Sequence, residues 1–133
     1  MDANGKRVLI ADGEGCVRRL IKALLAQGGF MVDEAVDGIH ALDEMKKCPF
    51  DALLADCSLL RLDGVRLLLL SRMMWPDTPV LLLSADLHEL PESLQRQGAG
   101  VLVQKPFHPP NLLQAVHRAT SLAYAEPSAI HDI

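Results

Sequence analysis

Residues 51 to 56 read Asp51-Ala52-Leu53-Leu54-Ala55-Asp56, four apolar residues held between two carboxylates. The run is short, and it lacks the alternation of a strand with one wet face. It therefore reads as a strand covered on both sides, as in a parallel sheet layered with helices. Asp56 then stands where the chain leaves the core.

On either side of this run, four further apolar runs recur at even intervals, at residues 8–11, 30–35, 80–83 and 101–103. The run at 30–35 carries Asp33 and Glu34, which predicts an edge position. Helical patterns separate the runs. Cys16, Val17, Leu20, Ile21, Leu24 and Leu25 form one apolar stripe, closed by Gly28-Gly29. Ile39, Leu42 and Met45 form a second, with Asp37 placed to cap it. Residues 65–74 form a third, stopped by Pro76. A fourth, around residues 91–97, is short and poorly apolar and ends at Gly98. The fifth opens on Pro109-Pro110 and continues through Leu112, Leu113, Val116 and Ala119. The alternating order βαβαβαβαβα predicts an α/β fold, an open, doubly wound, five-stranded parallel sheet with helices on both faces. One domain is expected over residues 1–124. Residues 125–133 carry Pro127 and no periodicity, and read as a tail or the start of a linker.

Composition narrows the function classes. A chain of 133 residues, 50% hydrophobic and 23% charged, is one globular domain. Its net charge of −4, without a cluster of Lys and Arg, argues against direct nucleic-acid binding by this segment. Three cysteines, Cys16, Cys48 and Cys57, follow no metal-ligand spacing and fit a reducing cytoplasm. No apolar run reaches the length of a membrane span, and the polar stretch at residues 1–7 lacks the apolar region of a signal peptide. A cytoplasmic location is expected.

In open α/β sheets ligands bind beyond the carboxyl ends of the strands. At those ends stand Asp12, Gly13 and Glu14 after the first strand, Asp56 after the third, Ser84 after the fourth and Lys105-Pro106 after the fifth. Carboxylates, a hydroxyl and an ammonium at one rim suit Mg2+-assisted phosphoryl transfer to a carboxylate. Each residue also has a plainer reading. Asp12 or Asp56 could cap a turn or helix, Ser84 could satisfy a backbone group, and Lys105 could be a solvated lysine.

These residues sit within motifs that resemble the receiver domains of response regulators in two-component signalling, across about residues 6–120. The motifs are Val8-Leu9-Ile10-Ala11-Asp12-Gly13-Glu14, residues 51–56, Leu62-Asp63-Gly64, Pro79 through Ser84-Ala85, Gln97-Gly98-Ala99 and Lys105-Pro106-Phe107. The resemblance implies a flavodoxin-like sheet of order 2-1-3-4-5. It implies that Asp56 accepts a phosphoryl group from a kinase histidine. It also implies Mg2+ held by Asp12, Asp56 and the main-chain carbonyl of Ser58, a phosphoryl contact and switching movement for Ser84, and a phosphate-pairing Lys105 before a cis proline. The implied partners are a histidine kinase or phosphotransfer protein, and an output domain or effector protein. Such a domain is a signalling module rather than an enzyme, although it assists its own phosphoryl transfer.

Three departures from the family pattern bear on this. Gly13 replaces the second acid of the pair that ends the first strand, so Mg2+ binding is expected to be weak. At about 4 Å and an effective dielectric of roughly 20, one such charge is worth about 4 kcal/mol before desolvation. The next acid, Glu14, is expected at the helix start, facing away. Leu102 replaces the usual switch aromatic, and Leu60 a usual proline. Gly13 and Leu102 keep open an alternative, a pseudo-receiver that binds a partner independently of phosphorylation. A phosphatase of the haloacid-dehalogenase type, with Asp12 as nucleophile, is a third reading. It leaves Asp56 unused and lacks the length for a cap.

Overall fold

Residues that alternate along a covered strand must face two different helix layers, and the chain satisfies this in both directions. The structure is a computed structural model and describes residues 4–97 and 102–121. Strands β1 (Arg7–Ala11), β2 (Met31–Ala35), β3 (Ala52–Asp56), β4 (Val80–Ser84) and β5 (Leu102–Gln104) form one parallel sheet of order β2-β1-β3-β4-β5. Helices α1 (Gly15–Gln27), α2 (Gly38–Lys47), α3 (Gly64–Met74), α4 (Glu92–Gln97) and α5 (Pro109–Ala119) connect or follow the strands. Leu9, Ala11, Leu53, Ala55 and Leu82 pack with Met45 of α2, Leu67 and Leu68 of α3 and Leu94 of α4. Val8, Ile10, Leu54, Leu81 and Leu83 pack with Ile21 and Leu25 of α1 and Leu112 and Val116 of α5. The expected fold class and strand order are thus observed.

The edge position expected of the second run is also found, and its acids are paired there. Asp33 lies 3.9 Å from the Arg7 guanidinium, and Glu34 meets Arg18 and Lys22 of α1. The starts of α2 and α3 carry side-chain caps. Asp37 accepts from the His40 amide at 2.7 Å, and Asp63 accepts from the Arg66 amide at 2.9 Å.

Other expectations need correction. The stripe on α1 is narrower than its periodicity implies: Cys16 is exposed and Leu20 half-exposed, because only Ile21 and Leu25 point fully into the sheet. A short 3-10 turn, Leu87–Glu89, has no counterpart in the apolar pattern. It is organised by Asp86, whose carboxylate accepts from the His88 amide. Val101 of the fifth run, Gly98 and Ala99 of one motif and the proposed tail lie outside the described residues. Among the described residues no helix is long and apolar enough to cross a membrane.

The loop after β3 is clamped by close backbone approach. The Gly38 amide donates to the Leu60 carbonyl, and the Gly64 amide to the Cys57 carbonyl. A Cβ on Gly38 would lie 1.9 Å from the Leu62 carbonyl oxygen, and one on Gly64 would lie 2.4 Å from that of Asp56. Both contacts are with backbone, which cannot rotate away. Gly38→Ala should therefore lower unfolding free energy by about 3 kcal/mol, the upper end for an overpacked site. Urea unfolding measures this. A change within about 0.5 kcal/mol, the usual size for an unconstrained surface position, would show that the loop yields freely.

Candidate functional site

The sheet register brings the polar strand ends together. Ala11 pairs with Ala55, so Asp12 and Asp56 follow each other's neighbouring rungs on adjacent strands. The Asp12 amide prolongs the β1–β2 ladder by donating to the Ala35 carbonyl at 3.2 Å. At the other side, the Lys105 amide prolongs the β4–β5 ladder by donating to the Ser84 carbonyl at 2.8 Å. The bond from Lys105 to Pro106 is cis, as the resemblance implies.

From that anchored backbone the Lys105 ammonium reaches two carboxylates at once. Its Nζ lies 2.9 Å from Oδ2 of Asp12 and 2.8 Å from Oδ1 of Asp56. The remaining oxygens also have donors: the Glu14 amide at 2.9 Å from Asp12 Oδ1, and the Ser58 amide at 3.0 Å from Asp56 Oδ2. Side-chain exposure is 1% for Asp12, 13% for Asp56 and 15% for Lys105. Lys105 is therefore not a solvated lysine, and Asp12 is more than a cap. Glu14 departs from expectation as well. Its carboxylate is exposed, yet it turns toward the rim and stands 3.8 Å from the same ammonium. It does not cap α1.

Burial alone would lower the Lys105 pKa. Hydrogen bonds and charge from Asp56 and Asp12 outweigh it, and the net shift is upward. Next to the acceptor candidate, burial pushes the Cys57 thiol up to about 11, and the Asp56 charge adds to the rise. The thiol stays protonated at neutral pH and does not compete with Asp56 as a nucleophile.

Ser84 ends β4 beside this cluster. Its hydroxyl is engaged locally, donating to the Asp86 carbonyl at 3.1 Å and accepting from the Asp86 amide at 3.2 Å. Leu102 pairs with Leu82 and is buried with Leu90 and Leu94 under α4. Gly13 is not demanded by packing. A Cβ there would meet only the Val36 carbonyl oxygen, at an ordinary 3.6 Å.

The donor chemistry fits a hard cation. Asp12 and Asp56 offer oxygen only, and the Ser58 carbonyl is of the same kind. Among the described residues no three His, Cys, Asp or Glu side chains form a ready metal cluster. An ion here must keep much of its water, as Mg2+ readily does. Sequence reasoning missed Arg18 altogether and used Glu34 only to place an edge. Arg18 donates to the Asp12 carbonyl oxygen at 2.7 Å and to Glu34 at 2.7 Å. The only local signal, Glu14 four residues before Arg18, points to the wrong partner.

Lys105→Met removes the cation and leaves two close carboxylates, one of them fully buried. The variant should lose about 2 kcal/mol of stability near neutral pH, less than for a fully buried pair because Lys105 and Asp56 both reach water. A lysine whose pKa is raised on folding contributes fully below its unfolded value, about 10.4, and loses that contribution as pH rises through the folded value. The gap between wild type and variant should stay level to about pH 9 and close above that range. Denaturant melts across pH measure it. A gap that closes on acidification alone would contradict the assignment.

The model of the response regulator receiver domain matches residues 8–117. Response regulator MprA of Mycobacterium avium is 34% identical over 103 residues, which cover 76% of this chain and 45% of that protein. MprA of Mycobacterium sp. strain KMS is 33% identical over 120 residues, covering 86% of this chain and 52% of its own. The chain thus spans about half the length of the curated relatives it matches. Among solved structures, chemotaxis response regulator CheY4 of Vibrio cholerae superposes with a TM-score of 0.76 at 29% identity, covering 86% of this chain and 98% of its own. The receiver domain of Francisella response regulator 1452 gives 0.77 at 29% identity, covering 87% and 97%. A phosphatase built on Asp12 does not survive these matches or the burial of Asp12. With a matched segment running from β1 into α5 and a sheet of the expected order, the chain belongs to the response regulator receiver domain family of two-component signalling.

Proposed function

We propose that Asp56 accepts a phosphoryl group from the histidine of a kinase or phosphotransfer protein, and that the new charge alters a surface read by an output domain or effector. One observation carries this reading: a single ammonium holds two strand-end carboxylates, and only Asp56 of the two reaches solvent. A donor can approach Asp56, whereas Asp12 is sealed in.

In the proposed transfer, a carboxylate oxygen of Asp56 attacks phosphorus, and the P–N bond to the donor imidazole breaks. Lys105 then exchanges its contact with the carboxylate for charge-assisted bonds to phosphoryl oxygens. Ser84 must release Asp86 to offer its hydroxyl to the same oxygens. Mg2+, when bound, supplies positive charge against the phosphoryl oxygens. Asp12, Asp56 and the Ser58 main-chain carbonyl are the groups that would hold it, with weakened affinity because Gly13 brings no carboxylate. Ser84 and Leu102 are the proposed switch positions. The three cysteines are free thiols, which supports a cytoplasmic setting, and the net charge of −4 supports protein rather than nucleic-acid partners.

Incubation with Mg2+ and acetyl phosphate should add one phosphoryl mass to the wild type and none to Asp56→Asn, read by intact-mass spectrometry. Equal labelling of the variant would refute the assignment. If neither protein is labelled, a phosphorylation-independent interaction module becomes the better reading.

Gly13→Asp should bind Mg2+ about tenfold more tightly, equivalent to about 1.4 kcal/mol, and take up phosphoryl faster. The new Cβ has room, so the gain should not be masked by strain. Calorimetric titration measures it. Equal affinity in both proteins would mean that Glu14 already supplies the missing charge.

A further inference from the structure

We propose that Arg18, oriented by Glu34, is a positioning residue for Asp12, supplying from α1 the rigidity that Gly13 removes from the β1–α1 connection. The inference rests on the reading of Asp12 as a carboxylate of the phosphorylation site.

The geometry is specific. Nη1 of Arg18 donates to the main-chain oxygen of Asp12 at 2.7 Å, and Nε donates to Oε1 of Glu34 at 2.7 Å. Lys22 takes the other Glu34 oxygen at 3.3 Å. Glu34 is thus held from both sides, and it fixes the plane of a guanidinium whose side chain is only 14% exposed. The Arg18 bond lowers the Glu34 pKa, in keeping with an ionised pair at neutral pH.

Asp12 sits where the β1 backbone loses its sheet partner. The last rung between β1 and β2 is the Asp12 amide on the Ala35 carbonyl. Beyond it the chain leaves β2 toward α2, and the Asp12 carbonyl receives the guanidinium. The next residue is Gly13, the most permissive backbone unit available. Two bonds restrain the turn around it. One is the Arg18 contact on the carbonyl before it, and the other is the Glu14 amide on Asp12 Oδ1 after it. Freeing the carbonyl lets the peptide between Asp12 and Gly13 rotate. That rotation withdraws the Glu14 amide from Asp12 Oδ1, and the carboxylate loses the bond that fixes it toward Lys105. A receiver with an acid at position 13 would have a second carboxylate to rely on; this one has only Asp12 on that strand.

The alternative is a simple brace between helix and edge strand, and it makes different predictions. The test uses the full chain and three variants. Arg18→Met keeps the aliphatic stem, Arg18→Lys keeps the charge, and Glu34→Gln removes only the orienting charge. Ile21→Val, a core truncation in the same helix, controls for general destabilisation. Hydrogen exchange at the Glu14 amide, followed by NMR, reports whether the turn is held. Mg2+ calorimetry reports whether Asp12 is presented.

Arg18→Met should speed Glu14 exchange and weaken Mg2+ each by about tenfold, the scale of one charge-assisted hydrogen bond. Arg18→Lys should recover part of both effects, and Glu34→Gln should fall between. Ile21→Val should lower the melting temperature and leave the Glu14 exchange rate relative to that of α1 unchanged. If Arg18→Met melts earlier while Glu14 exchange and Mg2+ affinity stay at wild-type values, Arg18 is a brace and the proposal fails. Should Arg18→Met not fold, the same two readouts on Arg18→Lys and Glu34→Gln decide. If the wild type takes no phosphoryl group, the reading of Asp56 falls, but Glu14 exchange still decides whether Arg18 positions Asp12.

Discussion

An ammonium shared by two carboxylates, Lys105 between Asp12 and Asp56, is the interaction on which the site depends. Along β1, β3 and β4 the residues are buried on both faces, so charge can enter only at the strand ends. Adjacent parallel strands then place Asp12 and Asp56 side by side, where two anions at about 4 Å repel by roughly 4 kcal/mol at an effective dielectric of 20. A cation between them sets two attractions against that one repulsion. It must come from outside β1 and β3, on a stem long enough to pass β4. The β4–β5 ladder meets that need by fixing the Lys105 backbone to the Ser84 carbonyl. Strand order, register and site charge are therefore one constraint, not three.

What the sequence made legible was whatever is written locally. The covered strands show in runs such as residues 52–55, and helix starts show in Asp37, because burial and capping act over a few residues. The edge position of β2 was readable from Asp33 and Glu34, since charge cannot sit inside a covered strand. The motifs also marked Asp12, Asp56, Ser84 and Lys105 as neighbours at one rim. That Lys105 bridges both carboxylates, and that Arg18 pairs with Glu34, was not legible. Lys105 meets Asp12 across 93 residues, and Arg18 meets Glu34 across 16. No periodicity encodes either distance. The inward turn of Glu14 escaped for the same reason, as it depends on the position of an ammonium that arrives from β5. The exposure of Leu20 reflects the orientation of α1, which turns only Ile21 and Leu25 fully into the core.

Gly13 and Leu102 stand at the two ends of the switch proposed above. At the rim, Gly13 brings no side-chain charge, and the Asp12 carbonyl beside it is held by Arg18. In the core, Leu102 is packed with Leu82, Leu90 and Leu94. Moving a buried leucine out of such a cluster opens a cavity, and emptying one costs about 3–5 kcal/mol. A half-exposed aromatic can change rotamer at much lower cost, because one of its positions is already solvated. Leu102 lacks that freedom. Ser84 lies two residues beyond Leu82, the rung partner of Leu102, and Lys105 is tied to the Ser84 carbonyl. A pull on Ser84 or Lys105 at the rim therefore acts on β5 through backbone hydrogen bonds. Small displacement of the strand as a unit keeps the leucine contacts intact, whereas rotation of Leu102 alone breaks them. For the switch proposed above, these contacts favour backbone movement at the β4–β5 edge over rotation of Leu102.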